Sequence, residues 1–99
     1  MTFDAETIIA VWEKGRTVAS NDPAVYRKDE CGAWMHCSSF GDRDSQYGWE
    51  IDHITPVKSG GLNQLINLRP LQWQNNSSRG ALGELVCTVT AHGTNNGPA

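Results

Sequence analysis

The stretch GWEIDHITPVKSGG, residues 48–61, is the part of the chain from which the fold is inferred. Its first residues alternate between apolar and polar side chains, which predicts a short strand. Pro56 and the two glycines that end the stretch predict a turn out of that strand. Before the turn stand Asp52 and His53, an acid beside a base. Adjacent side chains of a regular strand point to opposite faces, so the two can serve one site only if the backbone bends there.

Around this stretch, the sequence predicts one small α+β domain. An N-terminal helix capped by Asp4 belongs to residues 1–24 and packs on the core. Residues 91–99 have nothing to bury, which predicts a disordered tail and leaves residues 25–90 as the functional domain. Within it the patterns predict strands at residues 33–37, 49–53, 67–71 and 85–90 and a helix at 72–79.

Composition and charge narrow the class of protein. The 99 residues carry a net charge of −3, while residues 26–80 hold six basic and six acidic side chains and are neutral. Strong non-specific attraction to phosphate is therefore not expected. No apolar run approaches the roughly 18 residues of a membrane span, and the acidic N-terminus differs from the basic start of a signal peptide. These features predict a soluble cytoplasmic protein.

The cysteines do not predict a disulfide framework or a zinc site. There are three, Cys31, Cys37 and Cys87, and none forms a C-x-x-C pair. An odd number without such a pair argues against both a disulfide scaffold and a full zinc ribbon. Small buried side chains are the expected role for most of them.

The Asp-His pair suits hydrolysis of phosphodiester bonds. That reaction needs a base that activates water and a metal ion that stabilises charge on the phosphate. Histidine titrates near neutral pH, so His53 suits the role of base. The carboxylate of Asp52 and the amide oxygen of an asparagine are hard ligands of the kind that Mg²⁺ prefers.

Two asparagines extend this pattern within DHITPVKSGGLNQLINLRPLQWQNNSSRG, residues 52–80. Asn67 lies fourteen residues after His53, and Asn76 nine further on. With the DHI-x-P, GG, NL and PL elements at their spacings, the stretch resembles the HNH endonuclease motif in its Asp-His…Asn…Asn form. The resemblance covers residues from about 26 to 80.

The resemblance implies a ββα-metal fold, or His-Me finger: two antiparallel strands joined by a long loop, then a helix, with one divalent ion between the first strand and the helix. By position, Asp52 and Asn76 would bind the metal and His53 would be the general base. Asn67 would hold the loop through hydrogen bonds to its backbone. Mg²⁺ is the expected ion, and Mn²⁺ or Ni²⁺ can occupy such a site. The protein would be a metal-dependent endonuclease with DNA as its expected partner.

Basic residues near the motif are candidates for substrate binding. Arg79, one helical step from Asn76, could reach the scissile phosphate. Lys58 and Arg69 could follow the nucleic-acid backbone, although solvated surface charges are the ordinary alternative.

The sequence departs from a common form of the family in one respect. Many HNH domains carry two C-x-x-C pairs that bind a structural zinc ion. The positions of the second pair hold Gln72 and Asn75 here, so no structural zinc is expected.

Several alternatives stay open at this point. Asn75 precedes Asn76, and either could face the site, although the spacing favours Asn76. Glu50 shares a strand face with Asp52 and could be an auxiliary ligand or a solvated acid. A catalytically silent nucleic-acid-binding or protein-interaction module on the same frame also fits the acidic charge. No base-reading element accompanies the motif, so a homodimer or an accessory protein could supply specificity.

Overall fold

The computed structural model describes residues 2–99 and is built from two short helices and three two-stranded antiparallel sheets. This mixed architecture confirms the α+β prediction. The elements in chain order are α1 Ala5–Trp12, β1 Tyr26–Lys28, β2 Trp34–His36, β3 Trp49–His53, β4 Leu68–Gln72, α2 Trp73–Ser77, β5 Val89–His92 and β6 Asn95–Pro98. Within residues 2–99, no helix has the length and apolar character needed to cross a membrane.

Helix α1 supplies one wall of the core. Asp4 caps it, because its side chain accepts a hydrogen bond of 2.8 Å from the backbone N–H of Thr7. Trp12, at the end of the helix, is buried with its ring centroid 5.3 Å from that of Trp49 in β3. Burying large apolar side chains of this kind stabilises a fold by about 1.5–3 kcal/mol each. The main buried cluster consists of Val11, Trp12, Met35, Trp49 and Leu68.

Strands β3 and β4 and helix α2 follow one another without interruption by other regular strands or α-helices. The strands pair antiparallel, with Trp49 opposite Gln72 and His53 opposite Leu68. Residues 54–67 form the loop between them, and α2 begins at the residue after β4 ends. The chain therefore folds here as strand, loop, strand and helix, and α2 is shorter than the helix predicted for residues 72–79.

A buried polar network lies where β4 meets α2. The carboxylate of Asp29 accepts hydrogen bonds from the backbone N–H groups of Cys31, Ala33 and Gln72 and from the side-chain amide of Asn75, at 2.9–3.0 Å. Gln72 and Asn75 are fully buried. The network joins the β1–β2 turn to the start of α2. Two of its members, Gln72 and Asn75, stand at the positions where many HNH domains carry zinc-binding cysteines.

The C-terminal residues are ordered, and the prediction of a disordered tail for residues 91–99 is wrong. Strands β5 and β6 pair antiparallel, from Val89 opposite Pro98 to His92 opposite Asn95. The side chain of Asn96 exchanges hydrogen bonds with the backbone of Trp34. The prediction looked for apolar burial, whereas this hairpin is held by backbone pairing and amide contacts. The domain boundary after residue 90 falls inside β5 and is also wrong.

The expectation drawn from the odd number of cysteines is likewise corrected. Cys31 and Cys87 form a disulfide across a sequence separation of 56 residues, and Cys37 is the free thiol. An odd total excludes complete pairing but not one bridge. The covalent link attaches the β1–β2 turn to the segment that leads into β5.

Candidate active site

The two faces of β3 carry different chemistry. On one face Trp49 and Ile51 pack into the core with α1, and the His53 ring lies 6.1 Å from the ring of Phe3. Glu50 and Asp52 lie on the other face, because side chains alternate along a strand. Pairing continues through His53, so the backbone bend predicted between Asp52 and His53 falls after both residues. The structure therefore does not bring these two side chains onto one face.

Asp52 is paired with two arginines in the interior. Its side chain is 4% exposed. Oδ2 accepts a hydrogen bond of 2.8 Å from Nε of Arg69, which lies opposite it in β4. Oδ1 accepts one of 2.6 Å from Nη1 of Arg79. Both carboxylate oxygens are thus engaged in charge-assisted hydrogen bonds, the strong class of such contacts.

Arg79 acts as a clamp on the backbone that follows β3. Nη1 also donates to the carbonyl oxygen of His53 at 2.7 Å, and Nη2 donates to that of Ile54 at 3.2 Å. Nε and Nη2 both donate to the carbonyl oxygen of Gly83. Each guanidinium nitrogen therefore has an acceptor inside the protein. The structure engages Arg79 in holding the end of β3 rather than leaving it free for a phosphate.

His53 lies at the end of β3 with a defined ring orientation. Its Nε2 is 2.6 Å from Oδ1 of Asn63 in the following loop. With the amide oxygen as acceptor, Nε2 is the nitrogen that donates this hydrogen bond, and Nδ1 is the ring nitrogen that does not face Asn63. Asn63 was missed by the sequence reasoning, because no local pattern links two polar residues ten positions apart across a loop.

Asn67 closes the loop that follows His53. Its Oδ1 accepts a hydrogen bond of 2.8 Å from the backbone N–H of Thr55. Its amide donates to the carbonyl oxygens of Thr55 at 3.1 Å and Leu62 at 2.9 Å. Gly61 makes this closure possible, because a Cβ atom there would lie 1.8 Å from the carbonyl oxygen of Thr55. One side chain thus ties both ends of the loop together directly beyond His53.

Asn76 faces the acidic side of β3 from α2. Its side-chain amide donates a hydrogen bond of 2.8 Å to Oε1 of Glu50. Arg43 donates to both oxygens of the same carboxylate, at 2.7 and 2.9 Å. These bonds from Arg43, followed by the one from Asn76, hold the pKa of Glu50 below its ordinary value against the opposing effect of burial. Glu50 is therefore part of this site rather than a free surface acid.

The choice between the adjacent asparagines is decided by burial. Asn75 is fully buried, and its Oδ1 accepts hydrogen bonds from the backbone N–H groups of Thr88 and Val89 at 2.8 and 2.9 Å. Its amide group donates to Asp29 and to the carbonyl oxygen of Val89. Asn75 thus anchors the start of β5, and Asn76 is the asparagine that faces β3.

The remaining predicted substrate-binding residues occupy different surroundings. Lys58 is exposed in a 3₁₀ turn, Val57–Ser59, and forms no ion pair within residues 2–99. Arg69, besides its bond to Asp52, donates to Glu30 at 3.1 Å. It lines a cavity on the side of β4 near α1.

A hard divalent cation can be tested against the donors that are present. Within residues 2–99 no group of three His, Cys, Asp or Glu side chains is arranged to hold a metal ion. Asp52, Glu50 and Asn76 nevertheless bring two carboxylates and an amide to one side of β3, and these are the oxygen ligands that Mg²⁺ prefers. The donor types fit such an ion. The guanidinium groups of Arg69 and Arg79 already neutralise Asp52, so an ion would compete with them.

Comparison of the chain with family models, curated proteins and solved structures yields no match. The case for a family therefore depends on the residues of the motif and on their arrangement.

Proposed function

We propose that the protein is a metal-dependent endonuclease of the HNH type, which hydrolyses phosphodiester bonds in DNA on a ββα-metal core formed by β3, β4 and α2. The observation that carries this proposal is the loop closure by Asn67. Its three hydrogen bonds to the backbone of Thr55 and Leu62 make the loop a rigid frame beside His53. The motif assigns that role to this asparagine, at this distance from the histidine.

In the proposed mechanism His53 is the general base. Oδ1 of Asn63 accepts a hydrogen bond from Nε2, so Nδ1 is the ring nitrogen left to take a proton from the attacking water. The hydroxide attacks phosphorus in line with the departing 3′ oxygen and leaves a 5′-phosphate end. The scissile phosphate would lie across the end of β3, where groups from both faces of the strand can be reached.

Asp52 and Asn76 would hold the divalent ion, with Glu50 beside them. A bound ion would stabilise negative charge on the phosphate and on the departing oxygen. The protein's own contribution is to orient this oxygen donor set. Arg43 holds Glu50, and the amide of Asn76 bonds to the same carboxylate.

The test is nicking of supercoiled plasmid by purified protein with Mg²⁺, Mn²⁺ or EDTA, in wild type and in His53→Ala. We expect metal-dependent nicking that falls by about 10²- to 10⁴-fold in the variant, the usual contribution of a general base. His92→Ala is the matched control, because it removes an exposed imidazole from the C-terminal hairpin. Far-UV circular dichroism verifies that each variant is folded.

Two outcomes would reject the proposal. One is wild-type protein that is inert on plasmid, RNA and branched DNA with every metal. The other is nicking that persists in His53→Ala. Asp52→Ala is a poor first test, because it leaves two part-buried guanidinium groups without their partner and is expected to cost about 3–5 kcal/mol of stability.

A non-cleaving nucleic-acid-binding module is the second candidate, and one observation favours it. Both oxygens of Asp52 are bonded to arginines, and the side chain is almost fully buried. A carboxylate held in this way has a structural role without any metal. This candidate predicts salt-sensitive binding to DNA that is unchanged in His53→Ala and insensitive to EDTA.

A further inference from the structure

A cavity of about 440 Å³ opens between the end of α1, the strand β1 and the outer side of β4. It lies outside the acidic face of β3, although Arg69 belongs to both.

The cavity concentrates positive charge in an acidic protein. Of the eight lysines and arginines in the chain, four line it: Lys14, Arg16, Lys28 and Arg69. Two carboxylates also border it. That of Asp29 is turned into the buried network and satisfied by four donors, while Glu30 is a surface acid with a 54% exposed side chain. Even with both carboxylates charged, the lining carries a positive excess of two.

The basic side chains differ in what already engages them. Arg16 is exposed and forms no ion pair within the described chain. Lys28 extends over the ring of Trp34, 4.7 Å from its centroid. Lys14 donates to the carbonyl oxygens of Leu65 and Leu68 and so fixes the cavity wall. Arg16 and Lys28 are therefore the cations most available to a ligand.

The cavity adjoins the candidate active site. Ile54, which follows His53 directly, forms part of its lining, and Arg69 bonds to Asp52 from the same wall. A group bound in the cavity would lie beside the end of β3. Exposed charges attract each other over about 10 Å at ordinary ionic strength, so such a group would be attracted by the basic side chains that line the cavity.

We propose that this cavity binds a phosphate group of a nucleic-acid strand and positions the strand against the end of β3. The proposal rests on the proposed function for the identity of the ligand, but it concerns binding alone. Lys14 and Arg16 lie between α1 and β1, and Lys28 is the last residue of β1, so these three cations lie outside residues 52–80. Guanidinium and ammonium groups recognise phosphate by charge-assisted hydrogen bonds.

The experiment measures binding of a short fluorescent DNA duplex by anisotropy, in EDTA and in the His53→Ala background, so that cleavage does not interfere. Arg16→Gln and Lys28→Gln should each weaken binding by about tenfold, the usual effect of losing one charge-assisted hydrogen bond. Each should also reduce the slope of log affinity against log salt concentration, between about 50 and 200 mM, by the amount expected for one phosphate contact. Arg16 and Lys28 are joined by backbone hydrogen bonds, which these substitutions leave in place.

Two further variants give the experiment its direction. Glu30→Gln removes the exposed carboxylate of the cavity and its ion pair with Arg69, whose bond to Asp52 remains, so it should tighten binding. Ala24→Glu changes the net charge by the same amount as Arg16→Gln at an exposed position that does not line the cavity. It should leave affinity close to that of the parent.

The proposal is overturned if Arg16→Gln and Lys28→Gln bind the duplex as Ala24→Glu does. It is also overturned if inorganic phosphate binds the protein while duplex affinity is insensitive to Arg16, because the cavity would then hold free phosphate rather than a strand. The nicking assay is scored separately. If Arg16→Gln loses binding and the wild-type protein does not nick DNA, the cavity proposal is supported and the nuclease proposal is rejected. If the wild-type protein nicks DNA and Arg16→Gln binds normally, the nuclease proposal is supported and the cavity proposal is rejected.

Discussion

The carboxylate of Asp29 accepts four hydrogen bonds in the interior of the protein. Burial raises its pKa, and the hydrogen bonds offset only part of that effect. All four partners are N–H donors, so both carboxylate oxygens act as acceptors that join the β1–β2 turn to β4 and α2. In a small domain such a network can hold the elements together through the acceptors of one side chain.

We expect Asp29→Asn to destabilise the protein even though it removes the buried charge. The NH₂ group of asparagine would face N–H groups that now donate to the carboxylate and would leave them without an acceptor. Each such unsatisfied donor costs about 1–3 kcal/mol. The loss of unfolding free energy, measured by urea titration, should reach at least about 3 kcal/mol. Asp44→Asn, the same change at an exposed position, is the control. Equal stability of Asp29→Asn and wild type would contradict the assigned role.

The lowered pKa of Glu50 predicts a specific dependence of stability on pH. A carboxyl with a depressed pKa in the folded state contributes stability that is present above its ordinary pKa of 4.5 and is lost as pH falls through the lower folded value. Glu50→Gln cannot titrate, so its unfolding free energy should decline less steeply than that of wild type below about pH 4.5. Asp29 titrates in both proteins with the opposite sign and does not affect the difference.

Urea titrations at a series of pH values, from neutral to acidic, measure this difference in unfolding free energy between Glu50→Gln and wild type. Glu13→Gln, an exposed acid on the turn after α1, serves as the reference variant. Parallel curves for Glu50→Gln and wild type would show that the contacts with Arg43 and Asn76 do not favour the ionised form.

Among the elements, the loop of residues 54–67 depends most on one side chain. Asn67, the last residue of the loop, bonds to its backbone at Thr55 near the start and at Leu62 in the middle. The loop also exposes several large apolar side chains, including Ile66, which is 83% exposed. Little apolar burial therefore holds it, and the polar closure has a correspondingly large effect on its order.

We expect Asn67→Ala to loosen this loop with a smaller effect on the whole fold. Amide hydrogen exchange should accelerate within residues 54–62, and nicking should fall because the His53 ring loses its frame. Gln64→Ala is the matched control, since Gln64 is an exposed amide in the same loop whose side chain makes no capping bond. Unchanged exchange in Asn67→Ala would contradict the role of Asn67 as a positioning residue.

At the scale of the whole molecule, the disulfide joins two segments that lie far apart in the sequence, the β1–β2 turn and the segment that leads into β5. Closing a loop of this length, with a sequence separation of 56 between the linked cysteines, stabilises the folded state by about 4 kcal/mol in the chain-entropy model. The free thiol, Cys37, has its pKa raised by burial.

Reduction of the disulfide should destabilise the protein by about 2–5 kcal/mol and lower Tm by at least about 8 °C for a domain of this size. Thermal unfolding with and without dithiothreitol measures the change, with Cys37→Ser as control. Thiol titration of the denatured protein should find one free cysteine before reduction and three after it. An equal Tm in both conditions would contradict this contribution.

Local signals in the sequence predicted the elements that depend on neighbouring residues. The cap at Asp4, the alternation before His53 and the glycine pair that ends the stretch each act within a few positions, so α1, β3 and the turn are readable from the chain. The role of Asn67 came instead from the resemblance to the HNH motif, and its partners Thr55 and Leu62 lie in the loop that it closes.

Only the tertiary structure decided which polar groups meet across the molecule. Asp52 finds Arg69 and Arg79 at separations of 17 and 27 residues, and Cys31 finds Cys87 at 56. The sequence favoured Asn76 over Asn75 only through the spacing of the motif, whereas packing of α2 buries Asn75 and turns Asn76 toward β3. Such pairings depend on burial and on long-range chain geometry, which no local spacing encodes. For that reason the motif could name the residues of the site but not their charge partners.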